Sequence, residues 1–519
     1  MIAAVASPAQ ASGYRPPAPW VVLALPAAAA FAYALGHLTW YLTTPLGRVP
    51  VLDERENLDL AAAIFGGTLP AEPFYRAPGY ALLLAGLRAA GIPAAGLFPA
   101  ALALGAVLQA ANAALVALLA RRWFGPWAGI LAGLLLALDP VFVHYATQAL
   151  DATLALTLFL GGLNFLAADW RSARPGAWAG ASVGWALATL VRPNFLLPWT
   201  ALVVAAWALP RGRGPRGAAA LSGLLLFAGA SAWQGRVSGV PGFLPWQGAY
   251  NLWAANRPGA NGRYYTQSVS LPPALARQNP ARVESVLLYE QETNGAPAEV
   301  ARMNAHWRAR FRDEAIHHPL RWSALLVRKA YALLNNWEQY NNKTFAFHKA
   351  RSPWLRWNPV CWGLLLVLGV AGYARLLAES PAQAALAGGA ALLVAASVVL
   401  FFVSARFRLP LAALLAALAG GALAAPRFWT GWTARRQGFL AAAAALAAGI
   451  AFSNLGGVAD HSTYVQDHAL LARAAYTVGD DTTALAEANA ALQLQPWHPD
   501  ALAIAAAARQ DLAARGTAP

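Results

Sequence analysis

Cysteine is nearly missing from this chain: Cys361 is the single thiol in 519 residues. One cysteine excludes an intramolecular disulfide and any cysteine-based zinc site. Its apolar surroundings make a buried, inert thiol the expectation. Charge is scarce too. Only 12% of residues are Asp, Glu, Lys or Arg, about half the usual share, which excludes a disordered chain, a coiled coil and an ordinary cytosolic enzyme. Lysine is rarer still: Lys329, Lys343 and Lys349 are the only ones among 38 basic residues, a bias that a GC-rich gene produces by itself. The first twenty residues lack the charged start and short apolar core of a cleaved signal, so the first apolar segment reads as an uncleaved anchor.

What fills the space is apolar. The chain is 58% hydrophobic, against roughly 45–50% for an ordinary domain, and its mean hydropathy is +0.43. About 20 apolar residues cross a bilayer as a helix. Segments of that kind fall near 19–42, 94–120, 126–143, 150–168, 177–195, 196–210, 217–235, 357–377, 384–404, 409–425 and 437–454. The expected fold is therefore all-α, a polytopic helical membrane protein with about eleven spans. Residues 78–90 are apolar but short, and read as a surface or re-entrant helix.

The net charge of +15 is explained by where it lies. With the N-terminus cytoplasmic, the inner loops carry Arg15, Arg121, Arg122, Arg171, Arg174, Arg211, Arg213, Arg216, Arg375, Arg427, Arg435 and Arg436, opposed only by Asp169 and Glu379. That is the positive-inside pattern, and no nucleic-acid motif accompanies it. The organisation that follows is an N-terminal membrane module at 1–235 with a first outer loop at 43–93. An extracytoplasmic segment with interfacial helices comes next, at 236–356, then further spans at 357–454 and a tail at 455–519. Residues 465–498 resemble a tetratricopeptide repeat through Gly479, Ala484, Ala491 and Pro496, with Ala488 where an aromatic is usual. A further helix follows at about 498–514. One repeat and a half builds no solenoid, so the tail is expected to dock on the rest of the chain or on a protein partner.

Ionisable groups beside spans are costly and usually functional. Here they gather at the outer ends: Asp53 and Glu54, then Asp139, His144 and Asp151, then Arg192, then Arg406 and Arg408. In the first outer loop, Leu58, Ala61, Ala62 and Phe65 have helical spacing, which sets Asp53 and Glu54 at the start of an interfacial helix. Carboxylates are favoured there by unpaired N–H groups, so an N-cap and a surface charge are the plain alternative. In Pro73-Phe-Tyr-Arg-Ala-Pro-Gly-Tyr80, Arg76 sits among aromatics, either as an interfacial anchor or as a guanidinium for a lipid phosphate.

These pieces resemble the GT-C superfamily of integral-membrane glycosyltransferases, and within it the family 39, protein-mannosyltransferase-like branch. Asp-Glu on a first-loop helix and the Tyr-Arg-Ala-Pro-Gly-Tyr bend carry the likeness first. Asp151 in Tyr145-Ala-Thr-Gln-Ala-Leu-Asp-Ala-Thr153 stands where that branch has a second acid, commonly Glu. Leu190-Val-Arg-Pro-Asn194 resembles its Arg-Pro span, and Gly248-Ala-Tyr-Asn-Leu-Trp-Ala-Ala-Asn256 with Ala260-Asn-Gly262 a glycine- and asparagine-rich element of bacterial members. His318-Pro319, Lys329, Trp337-Glu338 and Asn341-Asn342 resemble the next segment, and Arg406-Phe-Arg-Leu-Pro410 the late Arg-Tyr-Arg-x-Pro motif. The likeness spans about residues 20–425.

The resemblance implies a sugar moved from a polyprenyl-phosphate carrier to an acceptor on the extracytoplasmic side, with inversion, in a bacterial cytoplasmic membrane. An acceptor hydroxyl needs a carboxylate to take its proton; Asp53 is the expected base, with Glu54 and Asp151 positioning the acceptor or a metal ion. A leaving phosphate needs cations, for which Arg76, Arg192, Arg406 and Arg408 are the candidates. Tyr75, Asn251, Trp253, Asn256, Lys329 and Glu338 are candidate sugar or acceptor contacts, as is Tyr264. No cofactor is required; a divalent ion near His144 and Asp139 is the alternative. Donor, glycan, lipid or protein acceptor and membrane lipid are the expected partners, and nucleic acid is not. The rival readings are a transporter or flippase, a polysaccharide ligase or polymerase, and a membrane scaffold. A transporter predicts repeats and midplane charge, and neither is visible here.

Overall fold

A computed structural model of the chain describes residues 17–169, 174–208, 213–272, 275 and 278–516. Arg15, Arg171 and Arg211, three of the expected inner-loop cations, lie outside the described residues, as does the side chain of Asp169. Among the described residues the regular structure is helical throughout. Six helices are long and apolar enough to cross a membrane, and seven when the pair Pro126–Leu138 and Pro140–Ala146, bent by 61°, is taken as one broken span. Eleven spans were expected; the helices Ala152–Asp169, Pro175–Val191, Leu196–Ala208 and Ala434–Phe452 stand where further spans were expected and fall below that measure of length and composition. They still pack into the same bundle through Phe159, Trp178, Leu202 and Ala447. Bulky groups on the outside of the bundle, such as Leu225 (78% exposed), Leu392 (70%) and Phe439 (78%), form a surface suited to lipid.

Two devices set the bundle's geometry. Proline begins several helices where its missing N–H costs nothing, as at Pro19, Pro126, Pro140, Pro175 and Pro381. Small residues let backbones approach closely. A Cβ on Gly105 would sit 1.8 Å from the Ala146 carbonyl oxygen, and one on Gly372 1.9 Å from that of Leu418. The helix Ala405–Ala424 is buried along nearly its whole length. It packs against Trp362–Glu379, Pro126–Leu138 and Leu97–Phe124. Its Ala, Leu and Gly offer no polar face, as a fully enclosed helix requires.

Ahead of that helix the chain breaks at 401–404. Helix ends leave carbonyls unpaired, and buried ones need internal partners. Asn256 donates to the Leu400 carbonyl at 2.8 Å and Lys329 to the Phe401 carbonyl at 2.7 Å. The Ala405 N–H donates to the Gln339 carbonyl at 3.1 Å. Cys361, expected to be buried, is half-exposed: it precedes the helix Trp362–Glu379 and lines a surface cavity of about 350 Å³.

The tail folds as three helices, Tyr464–Thr477, Asp481–Leu494 and Pro499–Ala514, around an alanine-rich core that includes Ala472, Ala484, Ala488 and Ala508. Its first helix packs on the short turn Pro45–Arg48, and Ala474 joins the core of the bundle.

Candidate active site

The first-loop helix runs Asp53–Gly66. Leu52, not Asp53, is its N-cap and lies at φ 49°, a conformation that costs a bulky residue energy. Asp53 does not cap the helix: its side chain turns to two arginines. Arg76 Nη2 lies 2.7 Å from Asp53 Oδ1, and Arg406 Nη1 lies 3.0 Å from Asp53 Oδ2. Arg406 also stands 3.9 Å from Asp151 Oδ1. Arg192 grips Asp151 with two donors, Nη2 at 2.6 Å and Nε at 3.2 Å. The Phe407 ring lies against both Arg192 and Arg406, 4.9 Å and 5.4 Å from their guanidinium carbons. Burial alone would raise the Asp53 carboxyl, but Arg76 and Arg406 outweigh it and hold Asp53 well below the usual carboxylate range.

This cluster forms one end of a cavity of about 910 Å³. Asp53, Arg76, Asp151, Arg192, Arg406 and Asn251 all line it. Away from the charges its wall is apolar: Leu196, Leu197, Val240, Phe243, Leu400 and Phe402 contribute. Counting formal charges of the lining Asp53, Asp151, Arg76, Arg192, Arg406 and Arg308 with Glu56, which pairs with Arg76, three negative against four positive, the site holds an excess of one positive charge.

Several expected site residues do not line this cavity. Glu54 is 1% exposed and turned inward. Neighbours on a helix point about 100° apart, so Glu54 cannot share Asp53's surroundings. It pairs with Lys343 Nζ at 3.0 Å and accepts from the N–H groups of Val51 and Ala149, each at 3.3 Å. Arg408 is separated from Arg406 in the same way. It pairs with Glu338 and donates to the carbonyls of Leu333 at 3.3 Å and Asn335 at 2.6 Å, closing the end of the helix Pro319–Leu334. Lys329 and Asn256 bond each other at 3.0 Å and tie down the break at Phe401. Trp253 packs on Trp307 at 4.7 Å between ring centres. The Tyr75 hydroxyl donates to Asn279 at 3.3 Å, and that of Tyr264 to Asp460 at 2.7 Å. Asp139 caps the helix Pro140–Ala146 through the Val141 N–H at 2.9 Å. His144 stacks on His348 at 5.6 Å. Among the described residues no group of three or more His, Cys, Asp or Glu side chains is placed to hold a metal ion.

Sequence reasoning missed Glu56, which pairs with Arg76 at 3.1 Å and accepts from Asn279 at 2.9 Å. It is three residues from Asp53 on one helix, a spacing that shares a face. It also missed Asn57, Asn194, Gln247 and Arg308 on the cavity wall and Lys343, the partner of Glu54.

Fold and site together define a polytopic helical membrane protein with an arginine–carboxylate centre at the end of an apolar cavity. Residues 95–233 match the family described as dolichyl-phosphate-mannose-protein mannosyltransferase. Among solved structures, the chain is similar to the Archaeoglobus fulgidus oligosaccharyltransferase in its apo form, at 14% identity over 87% of this chain and 57% of that one, TM-score 0.44. It is also similar to the oligosaccharyltransferase AglB of Archaeoglobus fulgidus in complex with an inhibitory peptide and a dolichol-phosphate, at 14% identity over 88% and 58% of the two chains, TM-score 0.38. The chain thus spans less than two thirds of the length of these structures. No curated protein matches it.

Proposed function

We propose that this protein transfers a single sugar from a polyprenyl-phosphate carrier to an acceptor hydroxyl on the extracytoplasmic side of the membrane, with inversion. The observation that carries this reading is the meeting of Asp53 and Asp151 with Arg76, Arg192 and Arg406 at one end of the 910 Å³ cavity. The apolar wall suits an isoprenoid chain, and the positive excess suits its phosphate. The family match, described by a lipid-phosphate mannose donor and a protein acceptor, supports the same donor class.

The chemistry follows from the pairing. At rest both oxygens of Asp53 are held by arginines, so it is a weak base. A donor phosphate offers those guanidiniums a better bidentate partner. As Arg406 and Arg76 turn to phosphate, Asp53 is released toward the acceptor. The acceptor oxygen bonds to the anomeric carbon, the bond from that carbon to the phosphate oxygen breaks, and Asp53 takes the acceptor proton. The leaving polyprenyl phosphate gains a negative charge where the arginines wait. Asp151, fixed by Arg192, holds that guanidinium in place. No metal ion is needed for this charge balance.

The orientation rests on helix direction. Ala405–Ala424 begins with Arg406 at the cavity and ends just before Arg427, so the cavity and the arginine-marked turns lie at opposite ends. With those turns in the cytoplasm, the cavity faces outward. The test is sugar transfer by the purified protein with a panel of polyprenyl-phosphate sugars, read as release of polyprenyl phosphate. Asp53→Asn is expected to lose about 10²–10⁴-fold in rate while still binding donor. No release by wild type with any donor overturns the reading and favours transport or polysaccharide ligation.

A further inference from the structure

We infer that the C-terminal three-helix tail aims the carboxylate of Asp53, with Asp467 as a positioning residue; the inference rests on Asp53 being the base. Asp467 is fully buried at the joint between tail and membrane module. Its Oδ1 accepts from the Thr344 N–H at 2.9 Å and pairs with His348 Nε2 at 3.1 Å. Thr463, four residues earlier, meets the Thr344 hydroxyl at 2.8 Å. The neighbour of Thr344, Lys343, reaches the opposite way, to Glu54 at 3.0 Å and the Tyr41 hydroxyl at 2.9 Å. Glu54 is the residue after Asp53. Each link from tail to base is therefore either a short polar contact or one peptide bond.

Two features bear on this relay. Leu52, which flanks one of its two chain segments, lies at φ 49°, a conformation that persists in so bulky a residue only when surroundings enforce it. A cavity of about 200 Å³ lined by His144, Lys343, His348 and Glu487 adjoins the relay, so polar contacts rather than close packing fix the Lys343 ammonium. The tail is tethered independently: Arg263 and Tyr264 of the outer segment hold Asp460 at 3.1 Å and 2.7 Å. Loss of Asp467 thus loosens the relay without releasing the tail.

The experiment compares full-length wild type with Asp467→Ala and Asp467→Asn, by transfer kinetics and by amide hydrogen exchange over residues 51–56. Asp467→Ala is expected to lower kcat about ten- to a hundredfold, with donor KM unchanged, and to speed exchange at 51–56. Asp467→Asn keeps an acceptor for Thr344 and restores most of kcat. Unchanged kcat in Asp467→Ala, or faster exchange confined to 341–352 and the tail, overturns the inference. So does equal impairment of both variants. Where Asp467→Ala does not fold, Thr463→Val carries the same expectation at smaller size. If wild type transfers no sugar, the functional reading fails and the exchange at 51–56 alone decides the coupling.

Discussion

Asp53 sits between two guanidiniums, and that position determines its response to pH. Burial acts to raise its pKa; Arg76 and Arg406 reverse the sign and keep it ionised well into acid. Removing one cation lets the carboxyl take a proton at higher pH. The acid limb of the kcat profile in Arg76→Ala is therefore expected to move up in pH relative to wild type, alongside any loss in maximal rate. A limb that stays fixed removes Asp53 as the titrating base. Much of this centre was readable in the chain: Asp53, Arg76, Asp151, Arg192 and Arg406 each lie in a recognisable short motif. Their neighbours were not separable by that means. Glu54 and Arg408 carry the same charges one or two residues away, and helix phase alone sends them elsewhere. The scarcity of lysine was a signal left unused: two of the three, Lys329 and Lys343, are wholly buried, where a lysine persists only with partners.

At the scale of elements, the break at 401–404 engages two of the residues expected as sugar or acceptor contacts. Asn256 and Lys329 were legible as polar groups in an outer segment, but the carbonyls they serve belong to a helix end about 70–145 residues away in the chain, which no local pattern reports. The helix Pro319–Leu334 carries Lys329 with its pKa pushed down to about 7 by burial, against about 10.4 for a free lysine. Between those values the unfolded chain binds the extra proton, so folding gains stability as pH rises. The cost of burying the ammonium is fully present below about 7 and gone above roughly 10. The thermal midpoint in detergent is expected to rise over that window, and Lys329→Met to flatten the slope. Helix contact is equally specific at Gly372. A Cβ there meets the Leu418 carbonyl, and backbone cannot yield as a side chain can. Gly372→Ala is expected to cost about 1–3 kcal/mol, seen as a lower midpoint and a smaller folded fraction by gel filtration.

For the whole molecule, the apolar segments read from the chain all became helices of one bundle, six or seven of them long and apolar enough by themselves to cross a membrane. Hydropathy reports burial in lipid and burial in protein alike, and short helices such as Leu196–Ala208 reach their apolar surroundings partly through neighbours. The two-ended charge distribution is testable in cells. In a Cys361→Ser background, Ala513→Cys in the tail is expected to react with a membrane-impermeant thiol reagent in intact cells. Thr430→Cys, beside Arg427, is expected to react only after lysis. The reverse pattern inverts the orientation proposed for the cavity.

The ion pair between residues 53 and 406 joins the first loop to one of the last helices, and Thr344 waits for Asp467 further on still. A ribosome makes these partners hundreds of residues apart. While the first loop is being made, Arg406 and Lys343 do not yet exist. A nascent chain that has not reached Ala405 holds Asp53 and Arg76 but lacks the second guanidinium that flanks the carboxylate. On the proposed function it carries the base beside an incomplete seat for the departing phosphate, and only the late helices complete it.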